Sequence, residues 1–318
     1  MSLRMSDSDS SRPTAPGSPP LQNSGLGGAL WRVWVLACST LTQLVRMKVF
    51  VFLILATLVL AAMAFAVVTF SPEEELKLIR DVALGSMHLF ASLLAIAATA
   101  ILLPRDVEDR TLYTILSKPV PRYEYLIGKW LGVVLLIGIC LLFMDLFYSA
   151  ILWWRQESLI QAQLAAFEAA GQLDAGLAEE VRTAIASQGL TWGFHSGAFG
   201  ILLQGAVLTS AVLLLSTIAT STLFTILAGV AVLLIGHGQE LARRYFLEGQ
   251  VSTTMERLIA TPVAIVFPDF SLFQSAADAA SVGTGLPLGD LLRLTTIAVL
   301  YILVYKIAAS LIFAEREL

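Results

Sequence analysis

Apolar residues in this chain fall into runs long enough to cross a bilayer, separated by short polar stretches. A membrane-spanning helix needs about 20 consecutive apolar residues. On that measure the pattern predicts six spans: Val49 to Phe70, Val82 to Leu103, Gly128 to Trp153, Phe194 to Ala219, Ser221 to Gly236 and Leu291 to Phe313. The fifth is short. Ser216 to Thr222 is polar but uncharged and reads as a tight turn between the fourth and fifth. Before the first span, Leu30, Val33, Trp34, Ala37, Leu41, Leu44 and Val45 recur at helical spacing, with Arg32, Gln43 and Arg46 elsewhere on the wheel. Tryptophans flanked by cations suit a helix over residues 29–48 lying in the headgroup plane, or else an extension of the first span. The fold class is therefore an all-α membrane protein with six transmembrane helices.

The polar stretches carry structure of their own. Between spans two and three, Pro104 helps end the apolar run. Asp106 to Ser117 then reads as a short amphipathic helix, with Leu112, Ile115 and Leu116 on one face. Pro119 and Pro121 stop it. Within the outer segment 154–192, Ser158 to Ala170 and Asp174 to Ser187 read as two amphipathic helices around Gly171. In the outer segment 237–289, Gln239 to Leu258 is polar and helical. Thr261 to Phe273, broken by Pro262 and Pro268, is too short to cross and reads as re-entrant or interfacial. Residues 1–28 are rich in Ser, Pro, Gly and Asp and are expected to form a disordered tail. The first long apolar run starts far from the N-terminus and exceeds an h-region, so it is expected to remain as an uncleaved span.

Composition supports the bilayer reading. The 318 residues are 57% hydrophobic and only 14% charged, where soluble domains carry roughly 25% charge; mean hydropathy is +0.79. A net charge of −4 offers no basic field for nucleic acid. Cys38 and Cys140 read as packing residues rather than a disulfide. Arg32, Arg46 and Lys48, the loop cations Arg105, Arg110, Lys118, Arg122 and Lys129, and Lys306 and Arg316 all fall on one side of a six-span arrangement. That side, holding both termini, is expected to be cytoplasmic. Glu73, Glu74 and Glu75 read as a solvated loop face on the other.

Candidate chemistry is sparse. Gly128-Lys129 lacks the upstream glycine of a phosphate-binding loop, with Tyr123 in its place, and opens a span rather than following a strand. His88, His195 and His237 read as isolated from one another, and no catalytic set of known spacing is present. Asp145, inside span three, is costly in lipid. It suggests a polar point on a translocation path, a hydrogen bond to a neighbouring Ser or Thr, or a protonated acid near the outer surface. Gln204 in span four has the same readings. Gly128 with Gly132, and Gly193 with Gly197, permit close helix approach. Arg293 and Lys306, near opposite ends of span six, can snorkel to headgroups.

Three groups of residues carry a resemblance. They are Arg105-Asp106-x-Glu108-x-x-Thr111-Leu112, then Leu116-Ser117-x-Pro119-x-x-Arg122, then Leu126-x-Gly128-Lys129. Together they resemble the signature of type 2 ABC transporter permeases, as do Phe267 to Phe273 and the ending Ile312 to Leu318. Arg110 stands where many members carry glycine, which is closer to the branch that includes copper-enzyme-maturation and gliding-type exporters. The resemblance implies that residues 105–118 form a coupling helix that fits a groove on a separate ATPase chain. Leu112, Ile115 and Leu116 would be buried there, with Asp106, Glu108 and Arg110 at the rim. Thr111, Pro119, Arg122, Gly128 and Lys129 are the matching motif positions. It further implies two ATPase copies that bind ATP and magnesium, a second permease copy or paralogue, no cofactor in this chain, export as the direction, and residence in the cytoplasmic membrane. An ATPase-independent channel or secondary transporter is the alternative, with Asp145 serving ion coupling.

Overall fold

The computed structural model describes residues 26–46, 75–108, 121–172, 174–219, 221–247, 267–281 and 285–315, with five helical positions between 55 and 62. Eight helices make up the described fold, and no strand occurs among these residues. They are α1 (Leu26–Arg46), α2 (Glu75–Glu108), α3 (Arg122–Ala169), α4 (Ala175–Gln188), α5 (Trp192–Ile218), α6 (Thr222–Leu247), α7 (Ser271–Ser281) and α8 (Leu288–Glu315). Five described helical stretches are long and apolar enough to cross a membrane; they correspond to α2, α3, α5, α6 and α8. Most of the expected first span, Val49 to Phe70, lies outside the described residues.

Helix α5 is the centre of the bundle and packs against α2, α3, α6, α7 and α8. It can be buried because its polar atoms need little from outside. Ser196, Thr209, Ser210, Ser216 and Thr217 donate their hydroxyls to backbone carbonyls three or four residues earlier, at 2.7–2.9 Å. Its small residues admit neighbours closely. A Cβ added at Gly197 would sit 2.9 Å from the Ala280 Cβ, and one at Gly200 would sit 2.7 Å from the Ala276 Cβ. Both contacts are with α7, whose Phe273, Ala276 and Ala280 are fully buried. The outward faces of α3, α6 and α8 are apolar, with Leu142, Leu146, Leu223, Leu227, Leu300 and Leu303 exposed. This is the surface that lipid solvates.

The helices outrun the spans assigned from hydropathy. Helix α3 has 48 residues, so Ser158 to Ala170 continues span three rather than forming a separate helix. No proline or glycine interrupts Trp153 to Ala169, and nothing in that stretch breaks the backbone ladder. The chain turns at Gly171, whose φ of 66° favours glycine. Helix α4 then starts at the Asp174 cap, which accepts from the Ala175 N–H at 2.7 Å. Its Val181 and Ile185 fold back onto the core. Helix α2 likewise does not stop at Pro104 but runs through it to Glu108. A membrane helix tolerates proline when other groups satisfy the freed carbonyl. The coupling stretch from residue 109 to 120 lies outside the described residues. The turn expected between spans four and five is present, with Ala219 extended after α5 and α6 opening at Thr222.

Exposed aromatics mark the bilayer limits. Tyr123 lies at one end of α3, and Trp153 and Trp154 lie beyond its middle, joined at that level by Trp192. The 30-residue interval from Tyr123 to Trp153 spans about 45 Å at 1.5 Å per residue, the thickness of a bilayer with its headgroups. The end holding Tyr123 is hereafter the motif end, and that holding the tryptophans of α3 the distal end. The last four turns of α3, with α4, project past the distal rim.

Helix α1 lies against the motif half of α3. Thr40, Ala37 and Leu44 face inward, while Trp31, Trp34 and Val35 are exposed. Contact depends on two glycines of α3. A Cβ at Gly128 would lie 2.5 Å from the Leu36 Cβ, and one at Gly132 would lie 2.6 Å from the Thr40 Cβ and 2.8 Å from the Ala37 carbonyl. The latter obstacle is backbone, which cannot swing aside. Gly132→Ala is therefore expected to destabilise the purified protein by about 1–3 kcal/mol, read as a lowered thermal unfolding midpoint. Gly138→Ala, where the nearest atom is Leu202 Cδ1 at 3.8 Å, should leave it unchanged.

Candidate functional site

The motif end of α3 is a junction of three helices. Arg32 of α1 donates from Nε and Nη2 to the two Glu124 oxygens at 2.7 and 2.9 Å. The Glu124 carboxylate is almost wholly buried, with its side chain 2% exposed, and the bidentate guanidinium is what makes burial of that charge tolerable. Arg122 donates to the Phe313 carbonyl of α8 at 2.9 Å and lies 5.9 Å from the Phe313 ring centroid. Tyr125 stacks on the same ring. Lys129 is buried with its ammonium 5.6 Å from the Tyr125 ring.

Lys306 does not snorkel outward. It reaches inward from α8, donates to the Leu126 carbonyl at 3.0 Å and sits 5.0 Å from the Trp130 ring. An ammonium held by a carbonyl and an indole face has replaced part of its water shell, which the lipid route to the headgroups does not better. Trp130 in turn donates to the Ala206 carbonyl of α5 at 3.0 Å. The motif positions Arg122, Gly128 and Lys129 thus sit where α1, α3 and α8 are tied together. Of the expected docking residues, Asp106 and Glu108 lie on the last turn of α2. Arg110, Thr111, Leu112, Ile115, Leu116 and Pro119 lie outside the described residues.

Nearer the distal end the bundle holds a polar layer. Asp145 of α3 pairs with His195 of α5, Oδ2 to Nδ1 at 2.8 Å. Its partner is therefore a histidine rather than a serine or threonine. The other oxygen, Oδ1, is buried without a hydrogen bond, as is the Ser149 hydroxyl one turn on. Deeper in the bundle, Gln204 of α5 places its amide nitrogen 2.8 Å from His88 Nε2 of α2 and 3.5 Å from His237 Nε2 of α6. The two imidazoles meet edge to face, 5.2 Å apart. The histidines are thus not isolated: two share one glutamine, and the third holds the aspartate. At the distal rim Glu75 is buried and ion-paired with Arg155, so it is not part of a solvated face. No three-residue cluster of His, Cys, Asp or Glu suited to a metal ion occurs among the described residues. Cys38 and Cys140 are both free thiols.

A cleft of about 310 Å³ opens beside this layer between α2, α5 and α7, with His88 and Gln204 among its lining residues. Acids, imidazoles and amides thus meet in this layer, beside an open cleft.

Residues 74–318 match the family model described as ABC-2 family transporter protein. The chain belongs to that family. The match begins one residue before α2 and leaves α1 outside it. No curated protein matches the chain by sequence. The ABC-2 protein is a transmembrane subunit of an ABC transporter, a component of transport that is not itself catalytic.

Sequence reasoning reached Gln204 and Asp145 singly, because each is a polar residue in an apolar run. It missed the permease's imidazole pair because His88, Gln204 and His237 come from three helices far apart in the chain. The signal that His88 and Gln204 leave in the sequence is polarity inside a span, and His237 falls just past the end of one.

Glu124→Gln removes the charge from the bidentate pair at the motif junction. It is expected to cost about 1.5–3 kcal/mol, the range for a hydrogen bond to a charged group. Thermal unfolding checks this: Arg32→Ala should cost a similar amount, and the double substitution should fall well short of the sum.

Proposed function

We propose that this ABC-2 protein is the permease subunit of an ATP-driven exporter and forms the translocation path. In this reading residues 105–118 dock a separate ATPase chain. Two ATPase copies, which bind the ATP and magnesium, work on two permease copies, or on this chain and a paralogue. The motif end faces the cytoplasm of a cell membrane, with both chain termini on that side, as the clustering of Lys and Arg there favours.

The observation that carries the reading is the bolting of the motif junction. The backbone that follows the proposed docking stretch enters α3 at Arg122. There Arg122, Glu124 and Leu126 are bonded to α8, α1 and α8 again. A push delivered just before Arg122 would move three helices as one body rather than bend a single loop, as transmission of an ATPase closure requires. Apolar Leu112, Ile115 and Leu116 would fill the partner's groove, with Asp106, Glu108 and Arg110 at the rim. Asp145 and Gln204 would line the path.

Two measurements test this. The chain is co-purified with a candidate ABC ATPase partner from the same organism. Leu112→Asp combined with Ile115→Asp should abolish the complex and the permease-dependent part of ATP hydrolysis; retention of both would defeat the docking scheme. Asp145→Asn keeps an oxygen for His195 but loses the charge. It should lower transport at least tenfold with assembly intact. Unfolding instead would make the pair a packing feature.

A further inference from the structure

Two imidazoles converge on one atom in the polar layer. His88 of α2 and His237 of α6 both present Nε2 to the amide nitrogen of Gln204, at 2.8 and 3.5 Å. The proton positions follow from the surroundings. His237 Nδ1 donates to the Leu233 carbonyl at 2.8 Å, so in the neutral ring Nε2 carries the lone pair. The buried Gln204 amide accordingly turns its NH₂ toward the rings, with one hydrogen for each. The other end of the amide, Oε1, is buried with no hydrogen bond.

A point faced by two imidazole lone pairs is one that a cation can take. The spacing of the rings suits it. Two imidazoles that hold one zinc ion through Nε2 at about 2.0–2.1 Å, at a tetrahedral angle, have ring centres roughly 5 Å apart. Here the centres are 5.2 Å apart. The rings are also supported from behind. A metal-binding histidine usually donates its second ring N–H to a carbonyl or carboxylate, and His237 does so to Leu233. The same ring lies against Phe270, centre to centre 5.6 Å. Phe270 packs there because Gly236 has no side chain: a Cβ at that position would meet Phe270 Cδ2 at 2.3 Å.

We propose that His88, His237 and Gln204 bind a divalent transition-metal ion of the zinc type. A half-turn of the Gln204 amide exchanges its two ends and brings Oε1 to the point where the imidazoles converge. Oε1 has no hydrogen bond to lose, so the turn gives up only the two N–H contacts that the metal replaces. The ligand set is then two nitrogens and one oxygen. It falls outside any cluster of three His, Cys, Asp or Glu because its third member is an amide. Imidazole selects ions of this kind, whereas calcium and magnesium require several oxygens. Three protein ligands leave a position for water, the pattern of an open site rather than a closed structural one. The cleft of about 310 Å³, lined in part by His88 and Gln204, supplies the entry route. Equilibrium binding by this chain alone needs no ATPase, so its failure would leave the permease reading untouched.

The test uses the full chain in lipid nanodiscs, stripped of metal by a chelator and without any partner. Zinc ions titrated by calorimetry should bind at one per chain. Cobalt(II) should bind in their place and give the visible absorption of a tetrahedral ion, which added zinc abolishes. His88→Ala and His237→Ala should each weaken zinc binding about tenfold or more. Gln204→Glu supplies a charged oxygen in place of Oε1 and should tighten binding, a gain that a misfolded variant does not give. Absence of saturable zinc binding overturns the proposal, as does binding indifferent to both histidine substitutions. So does a Gln204→Glu variant that binds zinc no more tightly than the unaltered chain. Binding kept by His237→Ala but lost on His195→Ala also overturns it, because the ion would then sit at the Asp145 pair.

Discussion

In a bilayer, an apolar helix gains nothing by exchanging lipid for another apolar helix, so α5 cannot be held at the centre by water exclusion. What holds it is proximity. Gly197 and Gly200 let α7 approach to backbone contact, and Gly205 meets Ile137 of α3. Serines and threonines that elsewhere would demand outside partners are closed on their own backbone. The dispersion contacts gathered along this helix set the positions of α2, α3, α6, α7 and α8 around it, and thereby every polar residue they carry.

The same constraint explains why charge is concentrated at two levels. At the motif end, Glu124, Lys129 and Lys306 are held away from lipid by Arg32, aromatic faces and a backbone carbonyl. Glu124 keeps its partner only while α1 stays on α3, and Lys306 only while α8 does, so the three helices are held as a unit. At the distal end, the Glu75–Arg155 pair and the Asp145–His195 pair perform a similar service between α2, α3 and α5. Between these levels lies the His88–Gln204–His237 group, of which His88 and Gln204 line a cleft.

That division suits a transport subunit in an ABC assembly. One end is tied across three helices by buried hydrogen bonds. The other has incompletely satisfied acceptors and an open cleft. Helix α7 enters the distal half without crossing it and forms one wall of the cleft.

Hydropathy and periodicity alone determined the class, most of the spans, the helix α1, the turn after α5 and the glycine contacts of α3. These follow from local chemistry, since an apolar run of given length has few fates and a glycine at four-residue spacing has few uses. The motif between spans two and three likewise pointed to the family before any geometry was known. Helix ends were less legible, because hydropathy reports where lipid stops and says nothing of where the backbone ladder stops. Hence α3 passes Trp153 and α2 passes Pro104. Which polar side chains meet was decided by tertiary structure alone. His88, Gln204 and His237 are separated by more than a hundred residues on one side and about thirty on the other, and only the packing around α5 brings them to a single point.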